Sequence, residues 1–252
     1  MPILSLEAAE AMAGRVLAAR YPDADAALLT GSNARGEATA GSDLDLIVLY
    51  RELPRARRES FMFEDMPVEV FLHDPETLAW YFNADREAGR PGIHNMVAEG
   101  RSLGPRPAFA ERLRAQARAG LAAGPPPFKP EQLDLFRYHI TDRINDLRDE
   151  REPAEVVATG VWLYDALASL ILRGRGRWMG TGKWIPRHLK AFDPGLERRF
   201  STAFEALFAR CDAGPVIALA EAELAPHGGL LFDGYRSESA ESARLAQAPE
   251  AG

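Results

Sequence analysis

The feature that most constrains this chain is a pair of carboxylates, Asp43 and Asp45, at the head of an otherwise aliphatic run, Leu44-Asp45-Leu46-Ile47-Val48-Leu49. A short run of large aliphatic residues reads as a buried β-strand. Residues two apart on a strand share a face, separated by two rises of about 3.3 Å each. Two like charges on one face of a buried strand repel each other and resist desolvation, and a cation between them resolves both problems. An earlier apolar run, Ala26-Ala27-Leu28-Leu29, leads through Thr30 into the turn Gly31-Ser32. A later one, Val68-Glu69-Val70-Phe71-Leu72, carries a single acid between valines. The order is therefore strand, Gly-Ser, a spacer of about ten residues, Asp-x-Asp leading a strand, then an acid on a later strand.

Hard divalent cations prefer carboxylate oxygens, and a carboxylate pair can share one ion or bridge two that lie about 3.5–4 Å apart. A glycine turn after a buried strand lets backbone N–H groups approach a polyphosphate, and the Ser32 hydroxyl adds a donor. Each part alone is weak. A Gly-Ser turn is more often only a turn, a surface Asp-x-Asp is commonly a solvated loop, and Glu69 alone fits an exposed position of an edge strand. Their combination in this order points to triphosphate and metal chemistry.

On these residues the segment resembles the signature of the nucleotidyltransferase superfamily that includes DNA polymerase beta and kanamycin nucleotidyltransferase. That signature is an apolar residue, Gly-Ser or Gly-Gly, a spacer, Asp-x-Asp and a later acid, and it covers about residues 26 to 73 here. The resemblance implies Gly31 and Ser32 as the phosphate-binding pair, Asp43 and Asp45 as metal ligands, and Glu69 as a third acid, either ligand or general base. Asn33-Ala34-Arg35-Gly36 and Ser42 resemble the version in minimal and antibiotic-modifying members, which places Arg35 and Ser42 near the nucleotide phosphates. It implies magnesium (two ions), ATP or another nucleoside triphosphate as co-substrate, and transfer of a nucleoside monophosphate to a hydroxyl of a small, aminoglycoside-like acceptor. Transfer to a protein or RNA acceptor, or nucleotide sensing without catalysis, are the alternatives.

The rest of the chain reads as α+β: an N-terminal catalytic domain over 1–118 with a small mixed sheet flanked by helices, then a helical acceptor-binding bundle over 131–235. A Ser-, Ala- and Glu-rich tail over 236–252 is expected to be mobile. Helices are expected over Leu6–Arg20, from Asp74-Pro75 through about Ala88, and around Ile93–Glu99, with a turn at Glu64-Asp65-Met66-Pro67. Ala119–Pro130, with its triple proline, reads as a stiff linker. Beyond it Leu133, Phe136, Ile140, Ile144 and Leu147 form an amphipathic stripe, followed by helical segments over Glu155–Arg173, Pro194–Cys211 and Pro215–Leu224.

Lys183, in Gly180-Thr181-Gly182-Lys183-Trp184, is a candidate phosphate contact with Trp184 near a base, against the blander reading of a loop whose tryptophans fill the core. Asp142 and Asp146, four apart, read as a solvated helix face before they read as a pocket for a cationic acceptor. A net charge of -7 disfavours a nucleic-acid backbone as partner. Cys211, the single cysteine, excludes an intrachain disulfide. The apolar stretch Val156–Leu172 contains Asp165 and is shorter than the roughly 20 residues of a membrane span, so a buried helix and a cytoplasmic protein are expected.

Overall fold

The computed structural model describes residues 3–239. It divides into two compact units, Met1–Pro127 with Leu172–Trp184, and Phe128–Ile171 with Ile185–Gly252. The class is α+β, with a five-stranded mixed sheet in the first unit and helices in the second.

Helix α1 (Leu6–Arg20) starts at Ser5, whose hydroxyl accepts from the Ala8 N–H, and buries Ala9, Met12, Ala13 and Val16. Strand β1 (Ala26–Thr30) is buried throughout and runs straight into the five-residue helix α2 (Gly31–Arg35). Then come β2 (Leu44–Leu49), β3 (Arg57–Phe63) and β4 (Met66–His73). Helices α3 (Pro75–Ala88) and α4 (Gly92–Glu99), strand β5 (Arg101–Leu103) and helix α5 (Pro107–Ala123) complete the series. The strand order is β3-β4-β2-β1-β5; β2 and β4 run parallel, and every other neighbour is antiparallel.

Strand alternation sorts the side chains into two cores. Ala27, Leu29, Leu44, Leu46, Val48, Val68, Val70 and Leu72 pack with α1 on one face. Ala26, Leu28, Ile47 and Leu49 pack with Leu78, Val97, Ala110, Leu113 and Ala117 from α3, α4 and α5 on the other. Asp45 and Glu69 have the parity of this second set. They therefore lie on the α3–α5 face, at the end where β2 begins.

Several expectations change in detail. The β3–β4 turn is Glu64-Asp65 alone, both at positive φ (49° and 64°), as a two-residue hairpin requires. Met66 and Pro67 already pair with Phe63 and Met62. Pro67 is tolerated inside a central strand because the β2 pairing begins one residue later, at Val68. Ala119–Ala123 are not linker: they finish α5, which their alanines and leucine favour. Helix formation stops at Gly124, before the prolines.

The second unit holds α6 (Pro130–Arg148), most of α7 (Pro153–Arg173), α8 (Trp184–Phe192) past its first residue, α9 (Pro194–Arg210) and α10 (Gly214–Leu224). Its core includes Ile140, Ile144, Leu163, Leu167, Phe200, Phe204 and Leu207, with the Tyr164 ring edge-on to Phe200 and Phe204 at 4.8 Å. Gly160 lets α7 and α9 approach, since a Cβ there would lie 2.6 Å from Leu207. At 21 residues α7 is, by length and composition, long and apolar enough to cross a membrane, although its uncharged stretch alone is shorter; 56% of its most apolar window is buried inside the fold. Of the expected tail over 236–252, residues 240–252 lie outside the described residues.

His73 ends β4 almost fully buried, edge-on to Tyr81 at 5.0 Å. Burial lowers its pKa from 6.5 to about 4, although Asp74 pulls the other way. The unfolded chain therefore binds the proton first on acidification, and this contribution to stability, complete above pH 6.5, is lost as the pH falls towards 4. The denaturant midpoint of the wild type is expected to drop between pH 7 and pH 5, and His73→Phe to flatten that part of the profile.

Candidate functional site

The register of the sheet assembles the acids. Asp45 is the second residue of β2, opposite Thr30 of β1 on one side and Glu69 of β4 on the other. Asp43 stands just before the strand. One carboxylate oxygen from each of Asp43, Asp45 and Glu69 lies within 4.8 Å of the others. All three residues are half-buried.

Such a cluster is costly without a counter-charge. The Asp45 pKa is pushed up to about 7, first by burial and then by the negative charges of Asp43 and Glu69; Arg35 and Lys183 act in the opposite sense. Three hard oxygen donors this close together fit a divalent cation, which would favour the ionised form of Asp45 that burial and its two acidic neighbours disfavour. Glu69 is held from outside: its Oε1 accepts from Arg58 Nη2 and from the Ser60 hydroxyl at 3.2 Å. Arg58 and Ser60 come from β3, and neither drew notice in the sequence.

Gly31 is required by the same acid. Its φ is +68°, and a Cβ there would fall 1.9 Å from Asp45 Oδ2. Only a glycine lets β1 turn into α2 with the backbone against the carboxylate. Ser32 follows in the first turn of α2, half-buried, its carbonyl accepting from the Glu37 N–H. Asn33 is buried and donates from Nδ2 to the Asp43 carbonyl at 2.6 Å, tying α2 to the head of β2. Arg35 is salt-bridged to Glu99 of α4 and to Glu37, and its guanidinium lies 5.2 Å over the Trp184 ring. Burial raises the Glu99 pKa while Arg35 opposes the rise. Thr30 donates to the Met96 carbonyl, a second link from this end of the sheet to α4.

The remaining predicted residues are less tightly gathered. The Ser42 hydroxyl accepts from the Thr39 N–H at 2.8 Å, closing the turn before Asp43. Lys183 is exposed in the turn just before α8, and its positive charge bears on Asp45. Trp184 is half-buried, with Arg35 against its ring. In the second unit Asp142 and Asp146 form ion pairs with Arg143, and Asp146 also with Arg151. Asp74 caps α3 through a reciprocal pair of hydrogen bonds with Thr77, the structural role expected of it.

The family model described as nucleotidyltransferase domain matches residues 15–81, which hold β1 to β4, α2 and all three acids. Residues 15–81 are a nucleotidyltransferase domain. That places the chain among the enzymes that transfer phosphorus-containing groups. No protein of curated function matches the sequence. Among solved structures, a nucleotidyltransferase-like protein from Exiguobacterium sibiricum 255-15 is similar at 18% identity with a TM-score of 0.43, over 86% of this chain and 73% of that one.

Gly31→Ala combines a left-handed backbone with a steric overlap on Asp45. It is expected to destabilise the nucleotidyltransferase domain by roughly 2–4 kcal/mol, read from denaturant unfolding. The solvent-exposed Gly36, with φ +71° but open space around it, should lose only about 1 kcal/mol as Gly36→Ala. Equal effects at the two positions would show that Gly31 does not press on Asp45.

Proposed function

We propose that this chain is a magnesium-dependent nucleotidyltransferase that moves a nucleoside monophosphate, AMP from ATP, onto a hydroxyl of a small acceptor and releases pyrophosphate. The observation that carries the reading is the meeting of three carboxylates, from β2, the residue just before it and β4, beside the Gly31 turn.

In this reading Asp43 and Asp45 would hold divalent cations, with Glu69 completing the set or accepting the acceptor's proton. When bound, such cations offset charge on the phosphoryl oxygens and on the departing pyrophosphate. The chain's own groups supply position. Backbone N–H groups at Gly31 and Ser32 donate to phosphate oxygens, and the Ser32 hydroxyl adds a donor. Arg35 and Lys183 contribute positive charge to the same end of the sheet, and Ser42 shapes the loop that presents Asp43. The acceptor hydroxyl then forms a bond to the α-phosphorus as the bond to the pyrophosphate oxygen breaks, and the hydroxyl proton leaves to a base. Rate enhancement comes from orientation and from preorganised charge.

An aminoglycoside-like acceptor follows from the motif variant Asn33-Ala34-Arg35-Gly36 with Ser42 and from the chain's acidic charge, which attracts polycationic small molecules. The same acidity argues against an RNA end.

Incubation with α-labelled ATP, magnesium and a panel of hydroxyl acceptors tests the proposal. The wild type should label one acceptor class, and Asp45→Asn should lower the rate at least about a hundredfold. Equal labelling by both proteins would refute the role given to the acids. Nucleotide binding with no transfer to any acceptor would favour a sensing module instead.

A further inference from the structure

At the opposite end of β2 from the acids lies a pocket of about 350 Å³ lined by Arg51, Pro75, Arg106, Ala108, Phe109 and Arg112. Its volume is within the range of small-ligand sites. Three arginines on one pocket are conspicuous in a chain of net charge -7. One carboxylate answers them: Asp25 Oδ1 is 2.8 Å from Arg106 Nη1 and 3.5 Å from Arg51 Nε. Arg112 has no carboxylate within ion-pair distance among the described residues and instead lies 5.4 Å over the Phe109 ring. Asp74, beside Pro75, has its oxygens engaged by Thr77 and by the Leu53 N–H. Asp74 keeps its charge but makes no ion pair with these arginines, so among the lining residues and their ion-pair partners three guanidinia face one carboxylate, an excess of two positive charges.

The backbone adds to this field. α5 begins at Pro107, its N-cap residue Arg106 supplies no side-chain acceptor, and its first turn lines the pocket at Ala108. Pro107 has no N–H, and the Phe109 and Ala110 N–H groups donate to the Arg106 carbonyl, so the helix start adds the Ala108 N–H and the positive end of a 17-residue helix to the guanidinia. Phe109 and Pro75 give apolar wall. We infer that this pocket binds the phosphate of a small phosphomonoester, with Arg51, Arg106 and Arg112 holding the oxygens and Phe109 against the organic part. A dianionic phosphate matches the excess of two positive charges, and guanidinium forks match its oxygens.

Arg51 lies six residues beyond Asp45 in the chain, on the order of 20 Å at the rise of a strand. A ligand here is therefore separate from one held by the acids, and the inference does not rest on the proposed reaction.

The test is calorimetric titration of the full chain in EDTA, so that no divalent cation bridges ligand to the acids, with inorganic phosphate, AMP and adenosine as probes. AMP and phosphate should bind the wild type and Asp45→Asn alike, adenosine should not bind, and Arg112→Glu should weaken binding at least about tenfold. AMP tighter than phosphate would assign Phe109 and Pro75 a share in binding the organic part; equal affinity would assign binding to the phosphate alone. Arg112→Gln, with the Arg51→Glu change at an exposed site as a second variant, serves if Arg112→Glu does not fold. The inference is overturned if neither phosphate nor AMP binds, if adenosine binds as well as AMP, if the arginine variants bind unchanged, or if Asp45→Asn abolishes binding.

Discussion

The structure of the first unit turns on the contact between the Gly31 backbone and the Asp45 carboxylate. A half-buried acid on the central strand of a β-sheet is tolerated only when neighbouring groups answer its charge. Here β1 ends and α2 begins within van der Waals range of it, which fixes both the glycine and the abrupt strand-to-helix turn. Asn33 then ties that helix to the Asp43 carbonyl, and Arg35 ties it to Glu99. The parallel pairing of β2 with β4 sets Glu69 opposite Asp45. Each link serves to hold like charges together, which hydrophobic packing alone would separate.

The parity of the sheet gives this arrangement its direction. Alternate residues of β1, β2 and β4 build a core against α1, and the other set builds one against α3, α4 and α5. The acids take the second parity but stand at the strand starts, where the apolar layer gives way to polar groups. The sheet is thus a rigid frame with one end given to charge. Its other end, where β2 stops at Leu49 and Arg51 follows, carries the opposite sign in the arginine pocket. The sheet separates an acidic site from a basic one along a single strand.

Much of this was legible in the sequence. β1, β2 and β4 stand out because short aliphatic runs have few other fates, and once the run at Leu44 is read as a strand the i, i+2 spacing of Asp43 and Asp45 implies a shared face. The helix cap at Asp74-Pro75 was equally local. What could not be read depends on distant partners. Glu99 meets Arg35 across 64 residues, and Arg58 and Ser60 reach Glu69 only through the β3–β4 hairpin. The three residues of β5 form a strand only because β1 offers an edge. α2 is too short to announce itself by periodicity. Ala119–Ala123 looked like linker because glycine and proline follow, yet propensity carried α5 to its end. The helix expected over Glu155–Arg173 begins two residues earlier, at Pro153, a residue suited to a first helical turn.

The central claim is that Asp43, Asp45 and Glu69 form a divalent-cation site. A crystal of the full chain soaked in Mn²⁺ and measured for anomalous scattering tests it most directly. A peak bounded by these three carboxylates, absent from Asp45→Asn crystals, is the predicted result. A wild-type map with no peak at the head of β2 and β4, while manganese binds elsewhere on the chain, would contradict it.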